Sequence, residues 1–225
     1  MKNLFRNIVP CLTLASLFVS CKKSGPAPPV FSEAYYQISI TGKWQGPDFG
    51  VPPGVHFTTV TGAVHHDGVA LWRPGSLASP GLESLAETGS TSLLLREIDT
   101  LVYQQGAIGP FLVPAPPATG QVQGNIYCNS HFSRVSFASM IAPSPDWFIG
   151  LSSINLYIDN QWIEDTTLQL FVHDAGSEDG DVFGYNNPAT DPRQPIVRLQ
   201  AAQATVLANG QDSLRPIAEV RFRLQ

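Results

Sequence analysis

Cysteine is scarce in this 225-residue chain, with three residues at Cys11, Cys21 and Cys128. Three isolated thiols exclude a Cys-rich zinc cluster. Charge is also sparse, at 14% of residues, and its balance is −5. Nucleic acid and bare anionic membrane surfaces need concentrated positive charge, so both are poor partners. The apolar run from Ile8 to Val19 is too short to span a bilayer comfortably. A Gly-x-Ser-x-Gly nucleophile elbow is missing, as are internal repeats and a second zone of composition. What the chain has in quantity is apolar residues, 43% of the total, together with 19 prolines and 19 glycines. That composition buries a core and rules out general disorder, and the length suits one or two domains.

The first 20 residues read as a secretory signal. Lys2 and Arg6 precede the apolar run, and small Ser20 ends it. Phe18-Val19-Ser20-Cys21 resembles a bacterial lipobox, with Phe18 in place of the commoner leucine. Such a motif implies cleavage before Cys21 and diacylation of its thiol. Acyl chains anchor through about 0.8 kcal/mol per buried CH₂. Residues 21–30 then form a Pro-rich tether. Lys22 offers no aspartate of the kind that retains lipoproteins in an inner membrane. The expected location is therefore the outer membrane or cell surface of a Gram-negative-type bacterium, with the lipid as the sole membrane contact. Cys11 leaves with the signal and Cys21 carries lipid, so Cys128 is expected to be a free thiol.

From residue 31 to 225 one domain is expected. Short runs of β type alternate with Pro/Gly turns. They are Tyr36 to Ile40, Leu93 to Ile98, Gln121 to Tyr127, Phe132 to Ile141, Phe148 to Tyr157, Thr167 to Val172, Ile196 to Gln200 and Val220 to Leu224. Many short strands argue for a sandwich or barrel. One short helix is expected after Ser79-Pro80, with Leu82, Leu85 and Ala86 on one face and Gly89 closing it. Arg221 and Arg223 alternate with apolar residues and read as a solvated strand face. Trp44, Trp72, Trp147 and Trp162 read as core rather than as a sugar platform.

Several segments, in order, resemble the spondin N-terminal domain. They are Tyr36 to Trp44, His56-Phe57, Gly62-Ala63-Val64-His65, Leu71-Trp72, Gly75, Ala78-Ser79 and Ala86-Glu87-Thr88-Gly89. The most specific is Ser139 to Gly150, containing Pro143-Ser144-Pro145-Asp146-Trp147, followed by Trp162 and by Asp174 to Asp179. The resemblance implies an all-β, antiparallel β-sandwich of C2-like topology that binds one calcium ion, either structural or bridging a ligand. It places two ligands on Asp146 and Asp174. The third family position, an aspartate, falls on Glu178 with Asp179 beside it. Either Glu178 reaches in, or a local adjustment presents Asp179.

The residues carry part of that logic unaided. Calcium takes six to eight oxygens, carboxylates supplying charge and carbonyls filling gaps. Two strand-end loops bearing acids can converge at one end of a sandwich, and clustered carboxylates favour a cation or a shifted pKa. The alternative is that Asp146 caps its own turn and Asp174 to Asp181 is a solvated acidic loop. His56, His65, His66, His131 and His173 read as surface or core histidines, since adjacent strand residues point to opposite faces. The expected function is a cell-surface calcium-binding adhesion or ligand-binding module whose partner is an extracellular protein or glycan. The competing readings are a glycan-directed envelope hydrolase using the acidic loop or Cys128, and a purely structural envelope protein.

Overall fold

The computed structural model describes residues 31–44, 51–208 and 210–225. The signal, the lipobox with Cys21 and the tether lie outside the described residues. Strand β1 (Glu33–Lys43) shows the period of two that its sequence announces, with Tyr36, Ile38 and Ile40 buried and Tyr35 exposed. It lies between β13 (Ala218–Leu224) and β5 (Thr119–Asn129), both antiparallel to it, and β10 (Asp165–Leu170) completes a four-stranded sheet in the order β10-β13-β1-β5. Arg221 and Arg223 take the solvent face, as expected. Arg221 pairs with Asp165, and Arg223 donates to Gln37 Oε1 at 3.1 Å.

The second sheet contains β2 (His56–Phe57), β3 (Val60–His65), β4 (Ala107–Val113), β6 (Arg134–Ala142), β7 (Trp147–Asn155), β11 (Val172–Asp174) and β12 (Val197–Arg198). Its order is β12-β11-β7-β6-β3-β4, with β2 paired to β6, and the described pairings are antiparallel. A separate hairpin joins β8 (Tyr157–Ile158) to β9 (Gln161–Trp162).

Tyr36, Ile38, Phe137, Trp147, Ile149 and Phe222 fill the space between the two sheets. Burial continues on the other face of the second sheet. There Ala63, Ala138 and Phe148 meet Leu82, Leu85, Leu94 and Ile98 from two helices. A sheet covered on both faces explains the unbroken burial of β6 from Val135 to Ala142.

Helix α1 (Pro80–Thr88) starts and stops where the sequence says. The Ser79 hydroxyl accepts from Leu82 N at 3.2 Å, and Gly89 ends the helix at φ 72°. A second helix, α2 (Ser92–Tyr103), replaces the strand expected at Leu93 to Ile98. Leucines, arginine and glutamate favour helix, and the buried residues Leu94 and Ile98 stand four apart, not two. Glu97 of α2 accepts from Ser79 Oγ and Gly81 N, both at 2.6 Å, which ties the helices together. A third, short helix, α3, spans Thr205–Ala208. The described residues thus form an all-β sandwich with three helices rather than the one expected. Trp44, Trp72 and Trp147 are buried and Trp162 is half-buried.

Candidate metal centre

The turn between β6 and β7 carries the first acid. Ser144 Oγ accepts from Trp147 N at 3.1 Å, and Trp147 is fully buried at the start of β7. Asp146, held between them, does not cap that turn. It is fully buried and aimed at the loop after β11. Its Oδ2 accepts from Ser177 N at 2.6 Å, Ser177 Oγ at 3.2 Å and Glu178 N at 3.1 Å. Its Oδ1 is buried with no hydrogen-bond partner.

The second acid ends β11. Asp174 pairs across the ladder with Trp147, and Ala175 N donates to Asp146 O at 3.3 Å. Two loops distant in sequence are thereby tied together. Asp174 Oδ1 accepts from Gly176 N at 2.7 Å. Gly176 stands at φ 74°, where an added Cβ would sit 2.1 Å from Gln194 O, so the tight turn demands glycine. Phe183 anchors the rest of the loop, its ring 5.5 Å from Trp147 and 6.0 Å from Trp44.

Glu178 and Asp179 play different parts. Glu178 Oε2 accepts from Asn187 Nδ2 at 3.4 Å, whereas Asp179 Oδ1 is bound by Thr190 Oγ1 at 2.6 Å. Together with Asp174 they line a cavity of about 610 Å³, behind which Asp146 lies buried. Among the described residues, no three His, Cys, Asp or Glu side chains stand close enough to one another to hold a metal by themselves.

Burial and like charge raise these acids together. Burial, reinforced by neighbouring Asp174, pushes the Asp146 carboxyl up to about 6, against its hydrogen bonds from Ser177 and Glu178. Asp174 is raised by burial and by Asp179. Glu178 is raised by burial, with Glu87 and Asp146 adding to the effect. Glu87 itself, on α1, is raised by burial, with Glu83 and Asp146 adding and the Ser177 hydroxyl opposing. A fifth carboxylate thus faces the acidic loops. It sits in the Ala86-Glu87-Thr88-Gly89 segment, which carried the family resemblance but not a ligand assignment.

Hard oxygen donors, an orphaned buried Oδ1 and mutually destabilised carboxylates fit a divalent cation such as calcium. Asp146 and Asp174 would hold it, with Glu178 or Asp179 moving in as the third acid.

The other candidates fall elsewhere. Cys128 is a free, fully buried thiol whose pKa burial pushes up to about 12, so it is no nucleophile. His131 stacks on Phe31. His65 Nε2 lies 2.8 Å from Ser136 Oγ, but both residues are fully buried and Ser136 Oγ also accepts from Ser153 N. That pair fixes backbone and does not meet substrate. His173 and Asp174 do point apart, as expected. His173 packs on Trp72 and Phe148, with ring centroids 4.9 Å and 5.5 Å away.

The Spondin_N family model aligns with residues 34–209. The chain belongs to the spondin N-terminal family. Spondin-2 of Rattus norvegicus is 34% identical over 201 residues, covering 84% of this chain and 61% of that protein. Spondin-2 of Homo sapiens is 33% identical over 199 residues, covering 83% and 60%. Spondin-1 of Gallus gallus is 28% identical over 205 residues, covering 83% and 25%. The chain therefore spans less than two thirds of the length of these spondins. The opening strand through Trp44, the Pro-Ser-Pro-Asp-Trp string and the Asp174 loop all lie inside the matched range. None of the described helices is long and apolar enough to cross a membrane.

Proposed function

We propose that this spondin-family domain is an exported, lipid-anchored, calcium-binding module for adhesion or ligand binding. The observation that carries the reading is Asp146, a fully buried carboxylate whose Oδ1 has no partner and whose charge is opposed by burial and by another carboxylate, Asp174. A buried unpaired charge is costly, and a cation is the ordinary remedy. Calcium, when bound, would supply positive charge and hold the two loops in one arrangement. The chain's own residues do the rest. Ser177 and Glu178 orient Asp146 through their N–H groups, Gly176 turns the loop and Phe183 pins it to the core.

The position of the loops favours an outward-facing role. The chain enters the domain at Phe31 and Ser32, where Trp162 Nε1 donates to Ser32 Oγ at 2.9 Å. Strand β1 then runs 11 residues to Lys43, and Trp44 beyond it packs on Phe183 of the acidic loop. At about 3.3 Å per residue, the acidic loops lie roughly 35 Å from the tether. An anchor at Cys21 would hold them away from the membrane, toward an extracellular protein or glycan.

Calorimetric titration of the chelator-treated protein tests the site. One calcium ion per chain is expected. Asp174→Asn should remove the heat, and Glu178→Gln and Asp179→Asn, made separately, should identify the third acid. No heat in the wild type, or undiminished heat in Asp174→Asn, would overturn the assignment.

A further inference from the structure

A second cavity, of about 530 Å³, shares no lining residue with the acidic one. It forms where the chain crosses from one sheet to the other. Phe171 is the single residue between β10 and β11, and it lines the cavity with Gln169, His173, the Trp72-Arg73-Pro74 segment and the outer face of β7. Its volume falls within the range of small-ligand sites.

Three features set this cleft apart. First, its lining contains no carboxylate, on a chain whose net charge is −5. Instead it carries cations. Arg73 lines it, and the Arg198 guanidinium lies 3.4 Å from the centre of the Phe171 ring. Among the described residues neither arginine makes an ion pair, whereas Arg193 and Arg221 each meet an acid.

Second, the wall is built under strain. Ser153 stands at φ 58°, next to the register shift between Val135 and Phe137. A left-handed serine is strained and persists only where its surroundings fix it. Here Ser136 Oγ accepts from Ser153 N at 2.8 Å and Arg134 Nη1 donates to Ser153 O at 2.9 Å.

Third, the cleft mixes surface types. Ser153 and Gln169 donate and accept, while Trp72 and Phe171 are aromatic. His173 Nδ1 is buried with no hydrogen-bond partner.

We propose that this cleft binds a carboxylated sugar unit of an acidic polysaccharide. Arg73 and Arg198 receive the carboxylate, because guanidinium matches carboxylate in both charge and shape. Ser153 and the amide oxygen of Gln169, whose Nε2 donates to Glu219 Oε2 at 3.2 Å, meet ring hydroxyls. The free part of the half-buried Phe171 ring takes the apolar C–H face of the pyranose, with Trp72 buried behind it. The cavity is the size of a small ligand and not of an extended peptide. The acidic loops play no part, so the inference stands whether or not they hold calcium.

Titration calorimetry on the full chain, in chelator, with oligogalacturonate as the probe tests this. Binding is expected, weakening as salt rises. Its methyl ester, with the same ring and no charge, should not bind. Arg73→Ala and Arg198→Ala should each weaken binding about tenfold or more at unchanged melting temperature, as loss of a charge-assisted hydrogen bond implies. Absence of binding at millimolar probe, equal binding of the ester, equal binding of poly-glutamate, or indifference to both substitutions would each overturn the proposal.

Discussion

Asp146 should make the calcium-free protein less stable as pH rises, the reverse of an ordinary salt-bridged carboxylate. Its pKa is about 6 in the fold against an ordinary 3.8. At 1.36 kcal/mol per pH unit, that gap corresponds to about 3 kcal/mol. The folded state holds the proton more tightly than the unfolded chain does. The stabilisation contributed by Asp146 is therefore fully present below about pH 4, is lost as pH rises toward 6, and stays lost above. Asp174, Glu178 and Glu87 are raised by burial too, so their contributions have the same sign. Asp165, lowered by Arg221, acts oppositely, and its contribution is lost only below the ordinary carboxylate range.

Urea unfolding in chelator at a series of pH values between 4 and 7.5 measures the effect. For a domain of this size, about 3 kcal/mol corresponds to roughly 6–12 °C in melting temperature. Asp146→Asn should flatten the dependence. The readout is the slope and not the absolute stability, because the new amide N–H at the Oδ1 position finds no acceptor and costs about 1–3 kcal/mol by itself. Saturating calcium should also remove the decline in the wild type. Buried His173 and His65, both pushed down by burial, act oppositely over the same range. The test is therefore the difference in slope between wild type and Asp146→Asn, and equal slopes would refute the reasoning.

Other outcomes follow from the same structure. Cys128, buried with its pKa pushed up to about 12, should resist alkylation in the folded protein. It should label once on unfolding without reductant; rapid labelling of the native state would place it at the surface. Gly176→Ala should cost at least about 1–2 kcal/mol for left-handed backbone, beyond the clash of its Cβ with Gln194 O. It should also blunt any calcium response, and a wild-type melting curve would contradict this. Cys21→Ser should release the protein from membranes and abolish acyl labelling, and unchanged fractionation would remove the anchor from the account.

How much was legible in the sequence differs by element. Helix α1 was readable because its signals are local, Ser79 and Pro80 at the start and Gly89 at the end. Helix α2 was not. Its apolar cluster of leucines looks strand-like over six residues and becomes helical only when Leu94 and Ile98 are seen to pack on α1. The run Thr167 to Val172 read as one strand but breaks at Phe171, where the chain leaves β10 for β11. Alternation reports burial and is silent about which sheet does the burying. Asp146 and Asp174 were legible through a specific string of residues. Their convergence was expected, but the orphaned Oδ1 depends on packing. Glu87 was missed as an acid of the site because a helix delivers it from far away in sequence. The Arg73–Arg198 cleft was missed for the same reason, since nothing local marks either arginine.

The most direct test of the central claim is the melting temperature of the wild-type domain in chelator, in millimolar calcium and in millimolar magnesium. A ligand at a hundredfold excess over its Kd adds about 2.7 kcal/mol to the folded state. The account predicts a rise of several degrees in calcium, reversed by chelator, smaller in magnesium, and absent in Asp174→Asn. An unchanged melting temperature in calcium, or an equal rise in Asp174→Asn, would mean that the acidic loops hold no ion and that the buried charge of Asp146 is resolved by its proton alone.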